Sequence, residues 1–150
     1  MLDESAVDTA RRQLSAVMDD RTTALAADTV RIVNSAVVRG MINAPATHQE
    51  IAGVIYQEYR VRATLCADAF LALVGEGDLS EAVAVGEQLK SLTAETLDLS
   101  VDDLTGMYGG FATLAGAVEI LVPLEQCRAD AMAEAEARID AALQGSGAAS

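Results

Sequence analysis

Long stretches without helix-breaking residues constrain this chain most. The chain has only two prolines, Pro45 and Pro123, and no glycine before Gly40. Residues 1–40 are dense in alanine, leucine, arginine, valine and methionine, which mostly favour helices. Apolar residues recur there at three- or four-residue spacing, and the alternation typical of strands is absent. The sequence therefore predicts an all-α fold.

Residues 1–40 hold one or two helices, and the pattern favours two. Asp19 and Asp20 are suitable caps for a second helix that starts at Arg21. Gly40 then ends this part of the chain, together with the turn residues Asn43 and Pro45. The predicted inward positions are Val7, Ala10, Leu14 and Val17 in the first piece, and Leu25, Ile32, Val33, Ala36 and Val37 in the second.

A capping box predicts the start of the next helix. Thr47 stands three residues before Glu50, just ahead of an apolar-periodic run. The glycine-containing turn at residues 75–78 ends this run. Its predicted buried stripe comprises Ile51, Val54, Ile55, Tyr59, Leu65, Ala69, Phe70 and Leu73.

Capping residues also divide the second half of the chain. Residues 79–97 form a predicted helix, and Ser100 with Asp103 marks the start of another that lasts to Val122. Pro123 favours a helix start, because proline is tolerated in the first turn, and it predicts a last helix over 124–143. The inward positions are Leu79, Val83, Leu89 and Leu92 in the first of these helices, and Leu124, Cys127, Met132, Ile139 and Leu143 in the last.

These units predict one domain, residues 1–144, followed by a flexible tail over 145–150 that has nothing to bury. Four to six helices joined by short loops are typical of a helical bundle. A globin-like helical sandwich is the alternative.

The charge balance excludes some classes of partner. The formal net charge is −13, and a field of this sign repels phosphate backbones and anionic lipids. We therefore expect no binding to nucleic acid. Residues 63–127 hold 11 acidic residues against Lys90 alone. This acidic middle segment is either a solubilising face or a surface complementary to a basic partner.

Cysteine use and the N-terminus indicate the compartment. Cys66 and Cys127 are widely spaced among apolar or helix-forming neighbours, as suits buried free thiols in a reducing compartment, although a disulfide stays possible. The opening MLDESAVD lacks the basic and apolar regions of a secretory signal. We expect a cytoplasmic protein.

Residues 104–122, LTGMYGGFATLAGAVEILV, are the most apolar part of the chain and contain one charge, Glu119. Their length would permit a membrane span, but the acidic flanks and Glu119 disfavour one. The alternatives are a central helix of the bundle or an interface with a second chain. In both, the small residues would let a neighbouring backbone approach closely. They are Gly106, Gly109, Gly110, Ala112, Thr113 and Gly116.

We find no pattern that indicates catalysis, a metal or a cofactor. His48 is the only histidine and stands in the predicted first turn of a helix, where we expect a surface residue. No Glu-x-x-His pair, nucleophile elbow or phosphate loop is present. With five aromatic residues and no tryptophan, the chain is poorly suited to an aromatic-lined pocket. We therefore expect a non-enzymatic protein without cofactors.

One cluster combines aromatic and basic side chains. Tyr56, Tyr59, Arg60 and Arg62 lie within two helical turns. They indicate either the rim of a partner contact or half-buried tyrosines with extended arginines on a structural helix.

Together these features predict an assembly or adaptor protein that acts through protein–protein contacts and is homo-oligomeric. The small residues of segment 104–122 and the Tyr56–Arg62 cluster are its candidate contacts. The alternative is an acidic neutralising protein, such as an immunity protein, a secretion chaperone or a nucleic-acid mimic, that covers a basic partner.

Overall fold

The computed structural model describes residues 2–41, 44–114 and 124–148, with the side chains of 100–114, 124 and 146–148 excepted. Four α-helices occupy this part of the chain: α1 (Glu4–Val38), α2 (Pro45–Leu71), α3 (Ala82–Leu114) and α4 (Leu124–Ala148). A 3-10 helix, Glu76–Glu81, precedes α3. The predicted all-α bundle is confirmed.

Successive helices run in opposite directions. The backbone N–H of Leu2 donates to Gln88 at 3.2 Å, and Arg11 binds Glu95 at 3.0 Å, so α1 and α3 are parallel. α2 is antiparallel to both of them. The pairs Arg60–Glu134 and Asp68–Arg138 show that α4 is parallel to α2. The result is an up-down-up-down bundle.

α2 is the central element of the bundle. It contacts each of the other three helices, whereas α1 and α4 do not contact one another in the described residues and occupy opposite corners. The core lies between α2, α3 and α4, with the first two thirds of α1 closing one side. Its most buried apolar side chains are Ile51, Ile55, Tyr59, Phe70, Val85, Leu89, Leu97 and Ile139.

α1 is one continuous helix, so the predicted break at Asp19 and Asp20 is wrong. Asp3 is its N-cap, accepting a hydrogen bond from the N–H of Ala6 at 3.3 Å. Met18 and Leu25 are both buried on either side of the expected break, so one apolar stripe crosses it. A cap contributes about 1 kcal/mol, less than the packing and hydrogen bonds that a break in the stripe would disturb.

The turn between α1 and α2 is a Schellman motif. Gly40 adopts φ 67°, and the N–H groups of Gly40 and Met41 donate back to the carbonyls of Val37 and Ala36. The predicted helix end at Gly40 is therefore confirmed.

The N-cap of α2 is Ala44, three residues before the predicted cap Thr47; Pro45 lies in the first turn, and Ala44 makes no side-chain bond. The Thr47 hydroxyl donates to the carbonyl of Met41 at 2.8 Å instead of capping. Thr47 thus ties the helix to the turn, and the predicted capping box is wrong.

α3 also continues through a predicted boundary. Residues 82–114 form one helix, so Ser100 and Asp103 lie within it instead of opening a new one. No proline or glycine interrupts residues 87–105, and Leu89 and Leu97 are fully buried, so packing and propensity both favour continuity. In the described residues α4 runs from Leu124 to Ala148, into the segment expected to be a tail.

Within the described ranges, no helix is both long and apolar enough to cross a bilayer.

Candidate interaction surfaces

The structure divides the Tyr56–Arg62 cluster between two sides of α2. Tyr59 and Arg62 are buried, at 2% and 0% exposure, and so lie inside the bundle instead of at a partner surface. Tyr56 and Arg60 are half-exposed. The three-residue spacing of the tyrosines did not keep them on one surface, because α2 is covered by neighbouring helices on most of its circumference.

Arg62 belongs to a buried charge cluster that joins α1 to α2. Its Nε–H donates to Glu58 Oε1 at 2.9 Å, and its Nη2 donates to the Thr22 hydroxyl at 2.9 Å. Arg21 adds two bonds to the same carboxylate, both of 2.8 Å. Glu58 thus accepts three charge-assisted hydrogen bonds from two guanidinium groups, and these fix the register of α1 against α2.

The electrostatics of the cluster follow from this geometry. Burial alone would raise the pKa of Glu58, but the hydrogen bonds from Arg21 and Arg62 outweigh it and hold that pKa below its ordinary value. The hydrogen bond to Glu58 raises the pKa of Arg21. Glu58 and Arg21 are therefore charged at neutral pH, and the cluster is structural.

Arg60 is engaged with α4. It makes two hydrogen bonds to Glu134, of 2.7 and 2.8 Å, and its guanidinium lies 5.9 Å from the centre of the Tyr56 ring. The hydrogen bond to Glu134 raises the pKa of Arg60. A partner that used Arg60 would first have to displace Glu134.

Most of the small residues in segment 104–122 lie on the last third of α3. Gly106, Gly109, Gly110, Ala112 and Thr113 are in its helical backbone. Gly116 lies outside the described residues. Close approach of a neighbouring helix here stays a prediction.

His48 is buried at 5% exposure, and the expectation of a surface residue is wrong. His48 follows Thr47, whose hydrogen bond to the Met41 carbonyl holds the start of α2 against the turn between α1 and α2. In the described part of the chain, no three or more histidine, cysteine or acidic side chains are grouped to hold a metal.

Cys66 and Cys127 are buried free thiols, as predicted. Burial raises the pKa of the Cys66 thiol to about 12, so it is not ionised at neutral pH. Neither cysteine is placed to act as a nucleophile at the surface.

A cavity of about 390 Å³ separates α1 from α3. Arg11 and Arg62 line it together with Asp19 and Glu95. Arg11 already binds Glu95, and Arg62 binds Glu58, so both arginines of the cavity are paired within the chain. This arrangement indicates no class of ligand.

The basic residues are largely used inside the protein. Across the described ranges, at least eight of the ten lysines and arginines form ion pairs with carboxylates of the same chain. Several of these pairs bridge neighbouring helices. The surplus of carboxylates therefore belongs to the surface.

The end of the bundle formed by residues 29–49 differs from the rest. This hairpin end, described over residues 29–41 and 44–49, contains Arg31 and Arg39. Arg31 is paired with Asp28 at 2.7 Å, and α4 begins at the same end of the bundle with the exposed Glu125. Val37 is 57% exposed and Val38 is 87% exposed. Val30 and Met41 are also exposed on this hairpin. The prediction that Val37 faces inward is wrong.

The opposite end of the bundle is acidic. Residues 2–10 and 71–89 meet there, as the Leu2–Gln88 hydrogen bond shows, and they contain seven acidic residues and no basic ones. Val83, which was predicted to be buried, is 84% exposed among them. It borders a groove of about 290 Å³ between the start of α3 and the end of α4.

Neither end was identified from the sequence as a candidate surface. One signal was available: residues 29–49 are the longest acid-free stretch that still carries basic residues before the acidic segment begins. The exposure of the valines was not readable, because valines at helical spacing are usually part of a core.

Comparison with known proteins identifies no matching family model, no similar curated protein and no similar solved structure.

Proposed function

We propose that this protein is a non-enzymatic assembly or adaptor protein that associates with itself through protein–protein contacts. The observation that supports it is the hairpin end, where Val30, Val37, Val38 and Met41 are exposed on a stretch without acidic residues. Contiguous exposed apolar side chains are typical of protein contact surfaces.

The hairpin end replaces the Tyr56–Arg62 cluster, which the sequence predicted as a candidate contact surface. Tyr59 and Arg62 are buried, and Arg60 is held by Glu134. The apolar side chains of the hairpin end, in contrast, are exposed within the described part of the chain. Cytoplasmic location is part of this proposal, because two free thiols suit a reducing compartment.

The test is the mass in solution, measured by light scattering as the protein concentration is raised. We expect the mass to rise above the 15.6 kDa of one chain. Val38→Asp places a charge in the apolar contact and should return the protein to a monomer. Leu99→Asp is the matched control, since Leu99 is 84% exposed on α3, away from both ends. A wild-type chain that stays monomeric at high concentration would contradict the proposal.

The second candidate is a protein that covers a basic partner. The ion pairs favour this candidate, because most of the basic side chains are paired within the chain and carboxylates are therefore in excess at the surface. Such a complex should form with a one-to-one stoichiometry and weaken steeply as the salt concentration rises. A strictly monomeric chain would favour this candidate over self-association.

A further inference from the structure

We propose that the groove between α1 and α2 binds an amphipathic helix of a partner protein that presents basic side chains. The groove has a volume of about 760 Å³. It is separate from the hairpin end, because Val30, Val37 and Val38 are not among its lining residues. The proposal therefore goes beyond self-association and gives the adaptor a second contact, for a different protein.

The surface of the groove is largely apolar. Val17 is 42% exposed, Ala24 is exposed, and Val54 and Val61 are half-buried. The lining runs from residue 17 to 28 on α1 and from residue 50 to 61 on α2, which is about 18 Å, or roughly three helical turns, on each helix. A groove between two helices receives the side-chain ridge of a third, so a short amphipathic helix fits this surface.

Gly53 lets a partner backbone approach closely. It is exposed in the middle of α2, it lines the groove, and no atom of the described chain lies within 4 Å of the place where a Cβ would be. An exposed glycine inside a helix costs about 0.5–1 kcal/mol relative to alanine. Contacts within the described chain give no reason for this glycine, whereas a helix lying across it does.

The basic side chains at the groove are already paired. Arg21, which lines the groove, binds Glu58 at 2.8 Å. Arg31 follows the groove on α1 and binds Asp28, another lining residue, at 2.7 Å. Neither arginine is therefore available to neutralise the remaining carboxylates of the groove.

Two carboxylates of the groove are without an ion pair. Asp20 on α1 and Glu50 on α2 are exposed and make no ion pair among the described contacts. Arg60, on the adjoining face of α2, is held by Glu134. Asp20 lies at the level of Glu58, and Glu50 is eight residues from Glu58, so about 12 Å separate the two carboxylates along the groove. The groove is complementary to a helix with basic side chains about two turns apart.

A second copy of this chain does not match that description. In the described ranges only Arg12 and Arg39 make no ion pair, and α1 separates them by about 40 Å. Face-to-face pairing of two such grooves would also bring the carboxylates of both copies together. The occupant is therefore a different, basic protein.

The test uses a fluorescein-labelled synthetic peptide of about 12 residues, stapled as a helix, with leucines along one face and a lysine at each end of that face. Fluorescence anisotropy measures its binding to the wild-type protein. Three turns of helix bury less than a standard interface of about 800 Å² per partner, so we expect a dissociation constant in the micromolar range. A peptide with glutamates in place of the lysines should bind at least about tenfold more weakly.

Variants of the protein locate the binding. Asp20→Asn combined with Glu50→Gln should weaken binding of the lysine peptide about tenfold and make it less dependent on salt. Glu125→Gln combined with Glu136→Gln is the matched control, because it removes two exposed carboxylates from α4, which does not contact α1 in the described residues. Gly53→Ala should weaken binding several-fold although it stabilises the free protein, so that loss is not a result of unfolding.

The proposal is overturned if the lysine peptide does not bind at up to about 1 mM, if both peptides bind alike, or if the α4 control weakens binding as much as the groove variant. Val38→Asp should bind the peptide like the wild type. A chain that binds the peptide but stays monomeric would contradict the proposed self-association alone. A chain that associates without binding the peptide would contradict the groove proposal alone.

Discussion

Replacing Glu58 by glutamine should destabilise the protein strongly, although it removes only one charge. Glu58 is 7% exposed and accepts hydrogen bonds from Arg21 and Arg62, of which Arg62 is fully buried. The amide keeps the size of the side chain but leaves the buried guanidinium without its neutralising carboxylate. Breaking a buried ion pair by removing one partner costs about 3 kcal/mol or more.

Glu134→Gln is the matched control. It removes the same charge from a carboxylate that also makes two hydrogen bonds to an arginine of α2, but this pair is exposed to solvent. Exposed pairs contribute little, because water solvates both groups when the pair is broken. The difference between the two variants therefore measures the effect of burial together with that of the second arginine on Glu58.

The assay is urea unfolding monitored by circular dichroism at pH 7, with thermal unfolding alongside. For a chain of this size, a loss of about 3 kcal/mol lowers the melting temperature by roughly 6–12 °C. We expect this for Glu58→Gln and a much smaller change for Glu134→Gln. Equal effects would refute the reasoning, because burial would then have no influence on the cluster.

The pH dependence gives the same argument an independent check. The folded-state pKa of Glu58 is lowered, so its stabilising contribution is fully present above the unfolded value of about 4.3 and is lost as the pH falls through the lower folded value. The wild-type protein should therefore lose stability on acidification below about pH 4.3. Glu58→Gln should lose less over the same range. A steeper acid loss in the variant would contradict this assignment.

Two further predictions concern glycines and a thiol. Gly53→Ala should stabilise the protein by about 0.5–1 kcal/mol, because Gly53 lies inside α2 with open space where the new Cβ would be. Gly40→Ala should destabilise the protein by about 1 kcal/mol, because Gly40 has φ 67°. Urea unfolding measures both changes. Cys66, buried with its pKa raised to about 12, should react with a thiol reagent only at the rate of global unfolding, and fast labelling of Cys66 in a Cys127→Ala variant would show otherwise.

Helix content was predictable from the sequence, but helix boundaries inside long stretches were not. The glycine at position 40 marks a real helix end, because it changes what the backbone itself is able to do. Pro123 lies outside the described residues. Asp19, Ser100 and Thr47 are suitable caps but lie within helices. A cap residue is compatible with a helix interior when its neighbours continue to pack, and that depends on contacts distant in sequence.

Burial was predicted well for the side chains of the central helices and poorly at the ends of the bundle. The predicted inward residues of α2 are buried or packed against the core, and Cys127, Met132, Ile139 and Leu143 of α4 are buried. Val17, Val37 and Val83 satisfy the same spacing but are exposed. Periodicity identifies an apolar face, but it does not tell where the neighbouring helix that would cover that face stops.

The candidate site was missed for a related reason. Spacing placed Tyr56 and Tyr59 on one face, yet Tyr59 is covered and Arg62, drawn inward by Glu58, is fully buried. Long charged side chains are expected at the surface, and only the three-dimensional structure shows that a carboxylate and a hydroxyl meet this one inside. Similarly, the contrast between two ends requires the topology that brings residues 2–10 beside residues 71–89.

Two different parts of α1 contribute to two different properties, the stability of the fold and the proposed self-association. Arg21 and Thr22 bind the cluster on α2, and beyond them Val37 and Val38 are exposed. Val38→Asp should therefore lower the mass in solution without lowering the urea midpoint measured on dilute monomer. Glu58→Gln should lower the midpoint, and at temperatures where the variant is still folded it should assemble like the wild type. If the cluster mutation also abolished association of the folded protein, the contact would depend on the register of α1 against α2 and not on the exposed valines alone.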